Sequence, residues 1–309
     1  MTQIPVNVPA ELLLGQFIPL HYHFNMLRDQ TRMISFKEAI KLAVPQNGTV
    51  LELGGGTGVL SWFAAQRARQ VWCVERNPAL VLASRSFMAN NCNGDRVSVV
   101  QADAMSYLPP EPVDVVICEM LHVGLVREKQ LDVIRSFKER YREKFGDRMP
   151  CFVPDTSMLA VMPIHQDFCF SGYMAAVPLF EPPGPNLKES SLAAPHYYST
   201  IDYGTDFPVE FVVDVQMKIQ RGGVFNAIGL LTNNFLAFVL SEGKAVQWLM
   251  NELVLPILKP LDVAVGDCVS IRFGYRAGCS LEDLQETVSA EMVSHETASV
   301  SKMPLTNAA

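Results

Sequence analysis

The sequence predicts an α/β fold: a parallel sheet covered on both faces by helices, followed by a mostly antiparallel β domain. Three observations carry this. Apolar runs of strand length alternate with helix-period runs between residues 50 and 145. A glycine-rich turn, Gly54-Gly55-Gly56-Thr57-Gly58, follows the first of those strands. After Gly146 the long helical runs stop, and short β-branched or aromatic stretches divided by Pro, Gly and Asn take over. Strands that are apolar throughout and separated by helices are buried on both faces, the condition of a parallel sheet.

In chain order, residues 20–44 read as one helix. Leu27, Ile34, Ala39, Ile40 and Ala43 recur near helical spacing, and Pro45 with Asn47-Gly48 ends the run. Residues 50–53 read as a strand, 57 to about 67 as a helix, 71–75 as a strand, and 78 to about 90 as a helix opening on proline. Strands follow at 97–101 and 113–119, then a charged helix from about 127 to 145. Its basic and acidic run over 135–148 reads as a solvated face. In the second half, runs at 158–162, 209–215, 235–240 and 269–275 read as strands, and Phe180-Glu181-Pro182-Pro183-Gly184-Pro185 reads as a loop. The expected division is 1–150, 151–294, and a frayed tail at 295–309 with little to bury.

Composition bounds the function. At 309 residues, 49% apolar and 18% charged, the chain suits one large or two ordinary globular domains. A net charge of −7 lacks the basic footprint of a nucleic-acid binder. Residues 1–9 carry no basic n-region, and no apolar run reaches the length of a membrane span, so a cytoplasmic protein is expected. Seven cysteines with no C-x-x-C pair read as reduced thiols. His21-Tyr22-His23 has no His or Cys cluster of matching spacing elsewhere, so no metal is expected.

The turn Val50-Leu51-Glu52-Leu53-Gly54-Gly55-Gly56-Thr57-Gly58 lets the chain reverse at a strand end and a ligand approach the backbone. A dinucleotide site would carry a third glycine at 59, where Val59 stands, and a phosphate loop would carry G-K-[ST]. The spacing of Gly54, Gly56 and Gly58 instead resembles the class I S-adenosylmethionine-dependent methyltransferases, a Rossmann-like fold. That resemblance implies that Glu75 accepts from both ribose hydroxyls and Asp103 from the adenine amino group. It adds Glu52, Arg76 and Ala104 to the cofactor site.

A second motif is more specific. Cys118-Glu119-Met120-Leu121-His122-Val123-Gly124-Leu125-Val126-Arg127-Glu128 resembles the double-glutamate loop of the protein arginine methyltransferases, S-E-W-M-G-Y-x-x-x-x-E. The two glutamates match; the residues after the first do not. Met26-Leu27-Arg28-Asp29-Gln30-Thr31-Arg32 resembles the family's M-L-K-D-x-x-R, which implies that Arg32 pairs with the cofactor's carboxylate and that His23 and Met26 lie near it. Val153-Pro154-Asp155 resembles the family's F-P-D entry to its β-barrel domain. Ala245-Val246-Gln247-Trp248 stands where the family has T-H-W, with Gln247 replacing the histidine. The family commonly dimerises through an arm, which corresponds here to residues 166–200.

The resemblance implies a methyltransferase that clamps an arginine guanidinium of a protein or peptide between Glu119 and Glu128. His122 and Gln247 are candidate polar groups in the acceptor site. Two carboxylates suit a planar cation that stays protonated. Three alternatives stay open. The acceptor is a small cationic molecule or another side chain; the chain binds the cofactor without catalysis; or Glu119 merely ends a strand while Glu128 opens a helix, where the macrodipole favours an acid.

Overall fold

The computed structural model describes residues 18–184, 190–239 and 243–293. The expected tail at 295–309, Leu240 and the residues 185–189 of the expected arm lie outside them.

The N-terminal helix is two helices, α1 (Leu20–Arg28) and α2 (Gln30–Ala43). Asp29 interrupts what the periodicity reads as one run. Its backbone is extended, and its side chain accepts from Arg32 N at 2.9 Å. An aspartate at such an N-cap satisfies a donor that would otherwise be orphaned.

Five parallel strands follow: β1 (Thr49–Leu53), β2 (Gln70–Glu75), β3 (Val97–Gln101), β4 (Val115–Cys118) and β5 (Cys151–Val153). Their order is β3-β2-β1-β4-β5. The chain starts at the middle of the sheet, runs outward to β3, then returns to the other side of β1. That reversal opens a crevice beyond the carboxyl ends of β1 and β4. β5 lies past residue 150 and closes this sheet's edge, against Val115, Val116 and Ile117. Between the strands run α3 (Val59–Ala65), α4 (Pro78–Ala89) and α5 (Gln130–Phe145).

Two boundaries move for physical reasons. α3 begins at Val59 rather than Thr57, because Gly58 is left-handed at φ +79° and caps it. α5 begins at Gln130 rather than Arg127, because Leu125 and Arg127 have φ of +56° and +63°. Glu128 is therefore outside the helix, not an acid of its first turn. The charged face of α5 is also not wholly solvated. Lys138 is buried and donates to the carbonyl oxygens of Tyr203, at 3.2 Å, and Thr205. Val133, Ile134, Phe137 and Tyr141 pack inward beside it.

The second half is antiparallel. One sheet runs β10 (His196–Asp202), β6 (Thr156–Ile164), β12 (Gly223–Val239), β14 (Glu252–Val263) and β9 (Leu179–Glu181), with β13 (Lys244–Leu249) also paired to β12. A second runs β11 (Glu210–Lys218), β15 (Cys268–Arg276) and β16 (Ser289–Met292). β7 (Cys169–Phe170) and β8 (Tyr173–Met174) form a separate hairpin. The segment read as a loop at 180–185 begins inside β9, whose Glu181 pairs with Glu252. A short helix α6 (Leu281–Thr287) precedes β16, closed by a capping box between Ser280 and Asp283. The two halves meet where Phe36 of α2 packs edge-on against Trp248 of β13, ring centroids 5.6 Å apart. Among the described residues no helix is long and apolar enough to cross a membrane.

Candidate active site

The crevice holds a cavity of about 190 Å³. Its floor is the glycine loop. Gly54 N and Gly55 N both donate to Val74 O, at 3.0 and 2.8 Å, which pins the loop to β2. Gly54 and Gly56 have φ of +77° and +54°, a region side chains rarely adopt. A Cβ on Gly54 would meet Met120, and one on Gly56 would lie 2.9 Å from His23 Nε2. Gly58 has a different task. It does not border the cavity, and a Cβ there would lie 2.5 Å from Ser84 Oγ, so it lets α3 pack on α4.

Strand ends supply carboxylates. Glu75, closing β2, accepts from Gly56 N at 2.8 Å and Asn77 N at 2.7 Å. Asp103, just beyond β3, accepts from Met105 N at 2.9 Å, and Arg76 Nη1 lies 3.8 Å from its other oxygen. Ala104 lies beside them on the wall. Glu52 is buried beneath the loop, where it accepts from Ser61 N at 2.9 Å and from the Ser61 hydroxyl. Burial outweighs those bonds and lifts its carboxyl to about 7.

The N-terminal helices form the other wall. His23 and Met26 come from α1, and Arg32 from the first turn of α2. Arg32 Nη2 donates to Glu119 Oε2 in an ion pair whose side chains are 8% and 12% exposed. Burial draws the guanidinium's pKa down, but the charge of Glu119 and its hydrogen bond outweigh this and raise it.

Glu119 and Glu128 border the same cavity. Glu128 accepts no hydrogen bond from the described residues. Burial first, and the negative charge of Glu119 second, lift its carboxyl to about 8. The loop between the two glutamates is tied to the β domain. Gly124 N donates to Thr232 Oγ1 at 2.7 Å, Tyr275 OH donates to Gly124 O at 2.7 Å, and Arg127 N donates to Cys279 O at 2.8 Å.

Two sequence candidates stand apart. His122 does not border the cavity; its ring meets Phe180 edge-on at 5.4 Å, and burial lowers its pKa to about 4. Gln247 is exposed on β13, and its Oε1 lies 3.3 Å from Asn233 Nδ2. Two residues that sequence reasoning passed over are closer to the chemistry. The Trp248 ring lies 5.9 Å from the Arg32 guanidinium carbon. Gln130, fully buried, bonds to the backbone on either side of Glu119. Trp248 was visible as a family match without a role, whereas Gln130 has no local signal.

Residues 50–144 match the family model of the methyltransferase domain. Over 270 residues the chain is 29% identical to an uncharacterised protein of Methanothermobacter thermautotrophicus, covering 86% of this chain and 97% of that one. It is 30% identical over 134 residues to the arginine N(omega)-methyltransferase of Streptomyces achromogenes subsp. streptozoticus, covering 42% of this chain and 37% of that enzyme. Among solved structures, it is similar to the Trypanosoma brucei PRMT1 enzyme–prozyme heterotetrameric complex with AdoHcy. The TM-score is 0.69 at 18% identity, covering 87% of this chain and 96% of that one, a likeness of fold. The matched domain, with the glycine loop and the sheet order, makes residues 50–144 a methyltransferase domain, in a chain that resembles the protein arginine methyltransferases in fold and sequence.

Proposed function

We propose that the protein methylates a guanidinium nitrogen of arginine in a protein or peptide, held between Glu119 and Glu128. The observation that carries this is that both carboxylates border one cavity with the glycine loop. The cavity fits the cofactor. Its floor is glycine where a Cβ would crowd it, and carboxylates stand at the ends of β2 and β3. In this reading Glu75 takes the ribose hydroxyls and Asp103 the adenine amino group, flanked by Arg76 and Ala104. Arg32, His23 and Met26 hold the amino-acid end, and Glu52 braces the loop from below. When bound, S-adenosylmethionine supplies a methyl group on a cationic sulfonium.

The two glutamates answer the difficulty of that chemistry. A guanidinium stays protonated, so its nitrogens are poor nucleophiles. Carboxylates on two of its N–H edges orient the plane and draw its positive charge away from the attacking nitrogen. Two cations enter and one methylguanidinium leaves, so one N–H proton must go. Glu128, lifted to about 8, is suited to accept it.

A second reading, transfer to free arginine or another small guanidino compound, is favoured by two observations. His122 and Gln247 lie off the cavity, and the Streptomyces relative is named for arginine rather than for protein arginine. Labelled cofactor offered with arginine-rich peptides and with free arginine separates the readings. Label in peptide supports the first, label in the small acceptor alone supports the second, and cofactor binding without label in either removes both. A homodimer is part of the proposal, through the hairpin on which Phe170, Tyr173 and Met174 are 48%, 73% and 69% exposed. A monomeric mass by light scattering would remove that part.

A further inference from the structure

We infer that Gln130 is a positioning residue that fixes the backbone of Glu119; this rests on the reading that Glu119 grips the acceptor. β4 ends at Cys118, and beyond it the chain leaves the sheet. The Gln130 side chain takes the place of the missing neighbour strand. Its Nε2 donates to Cys118 O at 2.7 Å, and its Oε1 accepts from Met120 N at 2.9 Å. Those two backbone groups bracket the Glu119 Cα, so the pair of bonds sets the direction in which the Glu119 side chain leaves. A primary amide suits this task, being a neutral side chain that donates and accepts side by side. Only one orientation works, since a flipped amide would turn its NH₂ toward the Met120 N–H.

The support reaches into the β domain. Tyr203 sets its hydroxyl against Gln130 and 2.9 Å from Ser157 Oγ, and all three residues are fully buried. Arg32 holds the other end of Glu119, its carboxylate. Glu119 is thus fixed at its backbone by one half of the site and at its tip by the other. A carboxylate that moves by an ångström loses its grip on a guanidinium edge, which is worth on the order of 10²-fold in rate.

The test uses Gln130→Leu and Gln130→Glu in the full chain, with hydrogen exchange at the Met120 amide and steady-state kinetics. Gln130→Leu is expected to speed Met120 exchange. It is expected to lower kcat on the order of 10²-fold with acceptor KM within about threefold, and to shift the acid limb of the pH profile downward as Glu119 moves off Glu128. A merely structural role would lower the melting temperature and leave that limb in place. Gln130→Glu keeps an acceptor for Met120 N–H but can donate to Cys118 O only while protonated, so its kcat relative to the natural protein at the same pH should recover as pH falls. A folded Gln130→Leu with unchanged Met120 exchange and unchanged kcat would overturn the inference. If Gln130→Leu does not fold, a ratio of Gln130→Glu to natural kcat that does not respond to pH would overturn it. If the natural protein methylates no guanidino acceptor, the functional reading fails, and Met120 exchange still decides whether Gln130 fixes this backbone.

Discussion

Arg32 and Glu119, 87 positions apart, form a buried ion pair in the lining of the cavity. The pair makes the two acids unequal. Glu119 is committed to a partner that stays charged, while Glu128 accepts no hydrogen bond from the described residues and has its carboxyl lifted to about 8 by burial and by Glu119. Asp29 is what permits this, because ending α1 there and capping α2 places Arg32 in the first turn facing the crevice.

Breaking the pair from one side should be costly. Arg32→Met leaves the Glu119 charge buried and unpaired, which is expected to destabilise the protein by up to about 3–5 kcal/mol. Adding Glu119→Gln removes the stranded charge and should recover most of that loss. Urea unfolding of the single and double variants measures both. Equal destabilisation in the two would show that the pair contributes little.

The second acid gives a pH signature. Glu128 binds its proton up to about 8 in the fold, against an ordinary value of 4.5. Between those values the folded state holds more protons than the unfolded one, so stability falls as pH rises from about 4.5 to about 8. Glu52 and Glu252, each lifted to about 7, chiefly by burial, act in the same direction. The Glu128 share is therefore the difference between the natural protein and Glu128→Gln. Thermal melts from pH 5 to 9 should show the variant gaining relative stability as pH rises; parallel curves would contradict this.

The loop geometry yields a third expectation. A Cβ on Gly55 would lie 2.2 Å from Cys73 Sγ in a buried layer. Gly55→Ala should cost about 1–3 kcal/mol through overpacking, and combining it with Cys73→Ala should restore part of that. Chemical denaturation of the two variants checks it.

Much of this site was legible because its signals are local. The glycines, the acids at the ends of β2 and β3, and the spacing of Glu119 and Glu128 lie within short stretches whose chemistry is apparent residue by residue. The helix break at Asp29 also had a local signal, an N-cap residue, which the apolar periodicity around it masked. The support of Glu119 was not legible. Gln130 reads as an ordinary polar residue entering a charged helix, and only the fold brings it under the end of β4. His122 misled for the opposite reason. It sits inside the right motif, but the cavity wall ends at Leu121, and the His122 ring packs on Phe180 instead.

A fourth expectation contrasts neighbours on β13. Trp248 is buried against Phe36 and Arg32, whereas Gln247 faces outward. Trp248→Ala should destabilise the protein by about 3–5 kcal/mol and weaken cofactor binding through Arg32. Gln247→Ala should leave cofactor affinity within about twofold, as a surface change of at most about 0.5 kcal/mol. Calorimetric titration with S-adenosylhomocysteine distinguishes them, and a larger loss for Gln247→Ala would return that residue to the site.

The central claim is that Glu119 and Glu128 together hold a guanidinium for methylation. Its most direct test is transfer of labelled methyl from S-adenosylmethionine to arginine peptides and free arginine by the natural protein and by Glu128→Gln. The account predicts label on a guanidino nitrogen, with loss on the order of 10²-fold or more in the variant while S-adenosylhomocysteine binding persists. Turnover unchanged in Glu128→Gln, or no guanidino product from a protein that binds the cofactor, would contradict it.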